Sequence, residues 1–418
     1  MAIARIVRPA RAAAFLLALA AVSSSCSSQP DFDLIIRGGT VYDGTGETVG
    51  VRRTDVGING DRITAIGDLS ARSAPDVIDA TGKIVAPGFI DVQSRSGLSL
   101  LAGGLGESHV RQGITSEILT DNSPALWTTE TADKAALERY GLTFDWRGLG
   151  GYFTKLESRG TAVNVGTMIP LSLARAAGNS APFIDAAMRG GAFGVVDDVN
   201  ADVQEVLAAA TIVGRYDGVI MVRADSLIAA SDDAVLSVGV QAHRIVIAGM
   251  AQAPADHPAS EIVGRMLRAA PRGVFVYGTF EPRPATVGEP NASVREAAKF
   301  GGVLAVTDAS AFGAFPRFLG QMVRDDHVVE LREAVRRSTS VAASIFQIAQ
   351  RGIIRETYFA DIVVFDERAI ADRATFEKPN QYPAGIEYVI VNGIVTVTPK
   401  GLTGSRPGSR LVHGLAAR

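Results

Sequence analysis

The 418-residue sequence predicts an α/β protein, a (β/α)8-type, TIM-like barrel joined to a composite β-sandwich formed by both chain ends. Two patterns predict it. Residues 32–86 and 352–410 alternate apolar and polar residues between glycine-rich turns, as in Val56-Gly57-Ile58-Asn59-Gly60-Asp61-Arg62-Ile63, which is the period-two signature of short strands. Between them, over 87–351, short apolar strands alternate with Ala-rich helical stretches such as Ala132–Tyr140, Ala201–Val213 and Val328–Ser338, the rhythm of a β/α barrel.

Taken in chain order, residues 1–26 read as an export signal of the lipoprotein type. Arg5, Arg8 and Arg11 form a basic segment, Ala12 to Val22 an apolar one, and Ser23-Ser24-Ser25-Cys26 the exit, while the apolar run is too short to span a bilayer. Cys26 is the single cysteine. It is the expected lipidation site, so the expected location is the bacterial cell envelope or periplasm, with the membrane reached through the lipid. A mature chain without further cysteine excludes disulfides and thiolate metal ligands. With 41 basic against 44 acidic side chains, a net charge of −3 and 47% hydrophobic residues, the composition is that of a globular protein of enzyme size without a nucleic-acid footprint. Neither the ligand nor the oligomeric state is written in it.

Three blocks carry a family resemblance. The first runs from Asp33 to Gly46, through Asp61-Arg62-Ile63, to Ala86-Pro87-Gly88-Phe89-Ile90-Asp91. The second is Thr307-Asp308-Ala309-Ser310 with Gly313-Ala314-Phe315-Pro316-Arg317. The third spans Ala360-Asp361-Ile362-Val363-Val364-Phe365-Asp366, Gln381-Tyr382-Pro383, Val391-Asn392-Gly393 and Gly404-Ser405-Arg406-Pro407-Gly408. Together they resemble the amidohydrolase superfamily, and within it the N-acyl-D-amino-acid deacylase (D-aminoacylase) branch.

The resemblance implies hydrolysis of a non-peptide C–N bond at zinc held by residues at the C-terminal ends of barrel strands, and it exposes the replacements. Where the first strand of the family ends in Asp-x-His-x-His, this chain reads Asp91-Val92-Gln93-Ser94-Arg95. The fifth-strand loop shows Met221 to Asp225 where relatives carry His-x-Arg-Ser-Glu. The sixth shows Ile247-Ala248-Gly249-Met250 for His-Leu-Lys-Ala. The degenerate metal positions are thus Gln93, Arg95, Asp121, Met221 and Ile247, of which Asp121 is similar in place to an acidic ligand. Asp308 matches the family's catalytic acid/base, and Arg317 and Arg223 are candidate contacts for a substrate carboxylate, a structural salt bridge being the other reading of Arg317.

Electrostatics argues against zinc at this place. A divalent ion about 4 Å from a guanidinium is repelled by roughly 8 kcal/mol at an effective dielectric near 20. That is a large part of the ~10–16 kcal/mol a good zinc site supplies. No cofactor is expected, and Arg95 reads as the replacement cation for Asp308 or Asp121. His109, His243, His257, His327 and His413 complete the histidines, with surface or structural roles expected. Three functions follow: an exported relative with lost or strongly impaired hydrolysis that binds an acyl-amino-acid-like ligand; an amide hydrolase with a rebuilt site of Asp91, Asp121, Asp225 and Asp308 around a hard ion such as Mg²⁺ or Mn²⁺; or a non-catalytic envelope scaffold.

Overall fold

The computed structural model describes residues 29–120, 126, 134–199, 201–223, 226–227, 230–242, 244–248, 274–276, 312–375 and 377–414. Five strands open the described chain: β1 (Leu34–Tyr42), β2 (Val51–Asn59), β3 (Arg62–Gly67), β4 (Asp76–Asp79) and β5 (Ile84–Pro87). Eight follow: β6 (Phe89–Ser94), β7 (Ile114–Leu119), β8 (Asn164–Thr167), β9 (Ile169–Pro170), β10 (Gly194–Val196), β11 (Val219–Arg223), β12 (Arg244–Ala248) and β13 (Val274–Val276). The last four are β14 (Ile362–Phe365), β15 (Ile386–Val391), β16 (Ile394–Thr398) and β17 (Gly401–Leu402).

The two ends of the chain share one nine-stranded sheet, in the order β17-β16-β15-β14-β5-β1-β2-β3 with β4 beside β1. Its seam is β5 against β14, antiparallel from Ile84↔Phe365 to Pro87↔Ile362. All four residues of each strand are buried, as expected of strands covered on both faces. Two hairpins set the register. Gly60 joins β2 to β3, and Asn392-Gly393, both with positive φ, turn β15 into β16, the pairing that a two-residue hairpin favours.

The middle of the chain forms an arc of parallel strands. One sheet runs β6-β7-β8 and another β9-β10-β11-β12-β13. β8 and β9, separated by Met168, behave as one interrupted strand that pairs with β7 on one side and β10 on the other. Gly194 lets β10 approach β11, since a Cβ there would lie 1.7 Å from the Val219 carbonyl oxygen. Residues 277–311 lie outside the described residues.

Alternation divides the arc into two faces. Ile220 and Val222 of β11 pack in one core with residues of the helices Gly148–Arg159, Ser180–Arg189 and Val203–Gly214. The last of these is capped by Asp202, whose carboxylate accepts from the Gln204 and Glu205 N–H groups, satisfying donors that a helix start leaves open. Val219 and Met221 instead join Ile90, Val92, Ile118, Val246, Phe346, Ile348 and Leu411 in a separate core on the concave side.

A buried ion pair, Arg351 with Asp361, anchors the chain just before β14, and Asp361 also accepts from the Asn164 amide of β8 at 3.1 Å, which ties the end sheet to the arc. Removing one partner of such a pair strands the other charge, at a typical cost of about 3–5 kcal/mol. Asp361→Ala should therefore lower unfolding stability by that order in a denaturant titration. A midpoint equal to that of the unmodified protein would remove this pair from the account of the fold.

Candidate functional site

The site expected from sequence lies where the strands of the arc end. At β6 the ladder is irregular: Asp91 pairs with Glu117 but Ser94 with Leu119. One extra residue therefore sits in β6, and such a bulge re-aims the side chains that follow it. Upstream, Ile90 and Val92 belong to the concave core. Downstream, Ser94 and Ser96 turn to the helix side, where both hydroxyls reach the carboxylate of Glu117, Ser94 at 2.6 Å. Gln93, within the bulge, is half-buried, and Arg95 is exposed just past the strand's end.

Glu117 is the group that sequence reasoning missed. Its carboxylate is fully buried and also meets His109 Nδ1 at 2.7 Å, with His109, Ser94 and Ser96 themselves buried. Burial alone would raise its pKa, but the charge of His109 and hydrogen bonds from His109, Ser94 and Ser96 outweigh it and hold the carboxyl below its ordinary value. The signal was present in the sequence as a lone acid inside Ile114-Thr115-Ser116-Glu117-Ile118-Leu119. This cluster ties the short helix Glu107–Val110 and the end of β6 to β7.

The remaining candidates are scattered. Met221 is on the concave face, but Ile247 is not: it packs with Ile220, Val222 and Ile245 in the helix-side core, because alternation puts Val246 inward. Arg223 ends β11 half-buried. Arg317 takes the second of its two expected readings, a salt bridge. It is 6% exposed, and its Nε and Nη2 both donate to Asp372, Nε at 2.7 Å. Both donors converge on the same Asp372 oxygen at the end of the helix Ala314–Arg317. Asp91 is buried, its Oδ1 accepting from the Gln93 N–H at 3.0 Å.

Cys26, Asp121, Asp225, Asp308, His243 and His257 lie outside the described residues. His327 occupies an exposed turn with φ +50°. His413 is buried edge-on against Phe193, ring centroids 5.7 Å apart, and burial holds its imidazole below the ordinary value.

Residues 305–397 match the amidohydrolase family model. The chain is 28% identical to D-aminoacylase of Alcaligenes xylosoxydans xylosoxydans over 490 residues, covering 94% of this chain and 100% of that one. The chain carries an amidohydrolase-family domain and is homologous to D-aminoacylase. It is 29% identical to N-acyl-D-glutamate deacylase of the same organism, covering 91% and 96% of the two chains. A solved D-aminoacylase with a binuclear metal centre superposes with a TM-score of 0.75 at 24% identity, over 91% of this chain and all of the other. The N-acyl-D-glutamate deacylase of Bordetella bronchiseptica, complexed with zinc and a phosphonate inhibitor, gives 0.74 at 24% identity, over 91% and 99% of the two chains. These similarities establish an α/β fold of the kind seen in D-aminoacylase.

Among the described residues, the places where the resemblance expects metal ligands offer few donors. Gln93 offers at most an amide oxygen, Met221 a thioether, and Arg95 and Ile247 no ligand atom. Zinc in four-coordinate sites takes imidazole, thiolate or carboxylate. Among the described residues, no group of three or more His, Cys, Asp or Glu is arranged to hold a metal ion.

The depressed Glu117 pKa sets a pH dependence. A carboxyl held below its unfolded value of about 4.5 stabilises the fold above that pH, and the contribution disappears as pH falls through the folded value. Glu117→Gln should cost about 3–5 kcal/mol at neutral pH by breaking a buried pair, and the difference from the unmodified protein should shrink well below pH 4.5. Urea titrations at the two pH values check this; a gap that is constant with pH counts against the charged carboxylate.

Proposed function

We propose that this chain is an amidohydrolase-fold protein that binds an acyl-amino-acid-like ligand at the C-terminal end of its strand arc, with zinc-dependent hydrolysis lost or strongly impaired. One observation supports the reading: Gln93 and Arg95 end β6, where the resemblance expects the first pair of metal-binding histidines. Replacing two neutral nitrogen donors by an amide and a fixed cation removes ligands and adds repulsion toward any divalent ion. The same cation suits a ligand carboxylate. In this reading the parallel strands belong to a full (β/α)8-type barrel, and Asp308 is a carboxylate without a metal-activated water to serve.

The rebuilt-carboxylate alternative is weakened at Asp91. It alternates with Ile90 and Val92, which belong to the concave core, so its side chain leaves β6 on the other face.

The decisive assay uses mature protein purified from zinc-supplemented medium. Elemental analysis should find zinc well below one equivalent, and N-acyl-D-amino acids should bind in calorimetry without release of the D-amino acid. Arg95→Gln should weaken that binding at least tenfold, about 1.4 kcal/mol. Stoichiometric zinc with metal-dependent deacylation would overturn the proposal.

The basic and apolar leader ending at Cys26 supports export with lipid attachment. Cys26→Ser should then shift the protein out of the membrane fraction, or leave it unprocessed; processing and membrane association unaltered by the substitution would contradict this.

A further inference from the structure

The C-terminal segment closes the base of the arc around one titratable group. Arg410 bridges Val165 of β8, Leu411 N–H donates to the Val165 carbonyl at 2.8 Å, and His413 N–H donates to the Gly191 carbonyl at 3.1 Å. The His413 ring then turns inward. It is 9% exposed, lies edge-on to Phe193 of the strand region that opens β10, and gives a hydrogen bond to the backbone of Asp217 in the turn before β11. Its Nε2 is buried and meets no hydrogen-bond partner among the described residues.

The charges around this ring are already committed. Asp217 attracts a proton to it, but the Asp217 Oδ2 accepts from Arg244 Nη2 of β12 at 3.3 Å and from Gln347 Nε2, past the helix Ala342–Ile345, at 2.6 Å. Arg244 itself repels an imidazolium. The segment's own cation, Arg410, is turned toward the Phe153 ring and the Gly190 carbonyl. Asp217 and Gln347 both hold positive φ, +53° and +52°, a backbone conformation that persists only where its surroundings fix it. The cluster is therefore not free to re-aim an acceptor at Nε2. Burial first, and the Arg244 charge after it, hold the imidazole below its ordinary value.

We propose that His413 makes the C-terminal segment an acid-released latch: a proton taken up by its imidazole detaches residues 411–414 from the base of the arc. A charged ring with a buried, unmatched N–H beside a guanidinium is costly, and the segment escapes that cost by moving the ring into water. Leu411 and Val412 also wall a cavity of about 230 Å³ with Phe193, Ile348 and Phe359, so release opens that cavity. The sign follows from linkage. A base whose folded pKa is depressed favours the closed segment fully above its unfolded value of about 6.5, and that contribution is lost as pH falls below it.

Backbone amide exchange of the full mature protein, followed by mass spectrometry at about pH 7.5 and about pH 5.5 and corrected for intrinsic rates, tests the latch. Opening at the Leu411 and His413 amides should rise roughly tenfold at the lower pH, the factor set by one proton bound a pH unit below 6.5. The buried strand β14 should show no such change. His413→Asn keeps a donor for the Asp217 carbonyl but cannot take the proton, and its C-terminal segment should open equally at both pH values. Equal opening of the unmodified segment at the two pH values, an equal rise in β14, or an acid response retained in His413→Asn would overturn the proposal. Should His413→Asn fail to fold, nitrogen NMR of the ring in the unmodified protein decides: the ring should gain its proton as the segment opens, and a protonated His413 in a segment that stays protected would contradict the latch.

Discussion

The buried carboxylate of Asp361 is the point on which the architecture turns. One oxygen receives Arg351 and, at 3.1 Å, the Asn164 amide of β8; the other accepts the Asn392 N–H at 2.8 Å. The Asp361 carbonyl accepts the Gly88 N–H. Asn164 Oδ1 in turn accepts from the Asn392 side chain and from both the backbone and the hydroxyl of Ser409. The end sheet, the parallel arc and the C-terminal segment therefore meet in one hydrogen-bonded knot. One buried atom of the network, Asn392 Oδ1, has no hydrogen-bond partner among the described residues, and a partly paired buried polar group is costly in a low dielectric.

This knot gives the third sequence block a physical meaning. Ala360-Asp361-Ile362, Val391-Asn392-Gly393 and Ser405-Arg406-Pro407-Gly408 carried the family resemblance, yet their side chains serve packing and closure rather than chemistry. Asn392-Gly393 makes a hairpin, Asn392 Nδ2 also holds the Pro407 carbonyl at 2.7 Å, and Arg406 donates to the Arg159 and Gly103 carbonyls. Resemblance to a family can thus rest on residues that build the scaffold while the residues at the strand ends have changed. In this chain the helix side of those ends is well ordered by Glu117, His109, Ser94 and Ser96, and the places of the family's metal ligands hold Gln93, Arg95 and Met221.

Much of the fold could be read from period and turn chemistry. The strands of both chain ends, the turn at Gly60 and the helix Val203–Gly214, which overlaps the predicted 201–213, all follow from local pattern. The α/β fold and its D-aminoacylase likeness followed from the three blocks. What could not be read depends on distance or parity. Arg317 meets Asp372, 55 residues away, and nothing local forecasts that pairing. Ile247 was placed by motif alignment, but alternation along β12 turns its neighbour Val246 inward. The bulge in β6 changes which residues share a face after Asp91, and a bulge adds no residue type that marks it. The burial of His413 against Phe193 comes from the C-terminal segment crossing the arc, which no local pattern announces.

The central claim is that the scaffold of a metallohydrolase persists here around strand ends that no longer suit its metal. A crystal of the mature protein grown with excess zinc, measured on both sides of the zinc absorption edge, addresses this most directly. The account predicts no anomalous peak beside Gln93 and Arg95 at the end of β6, with the Asp361 knot in place. A strong peak there, coordinated by protein side chains, would contradict it.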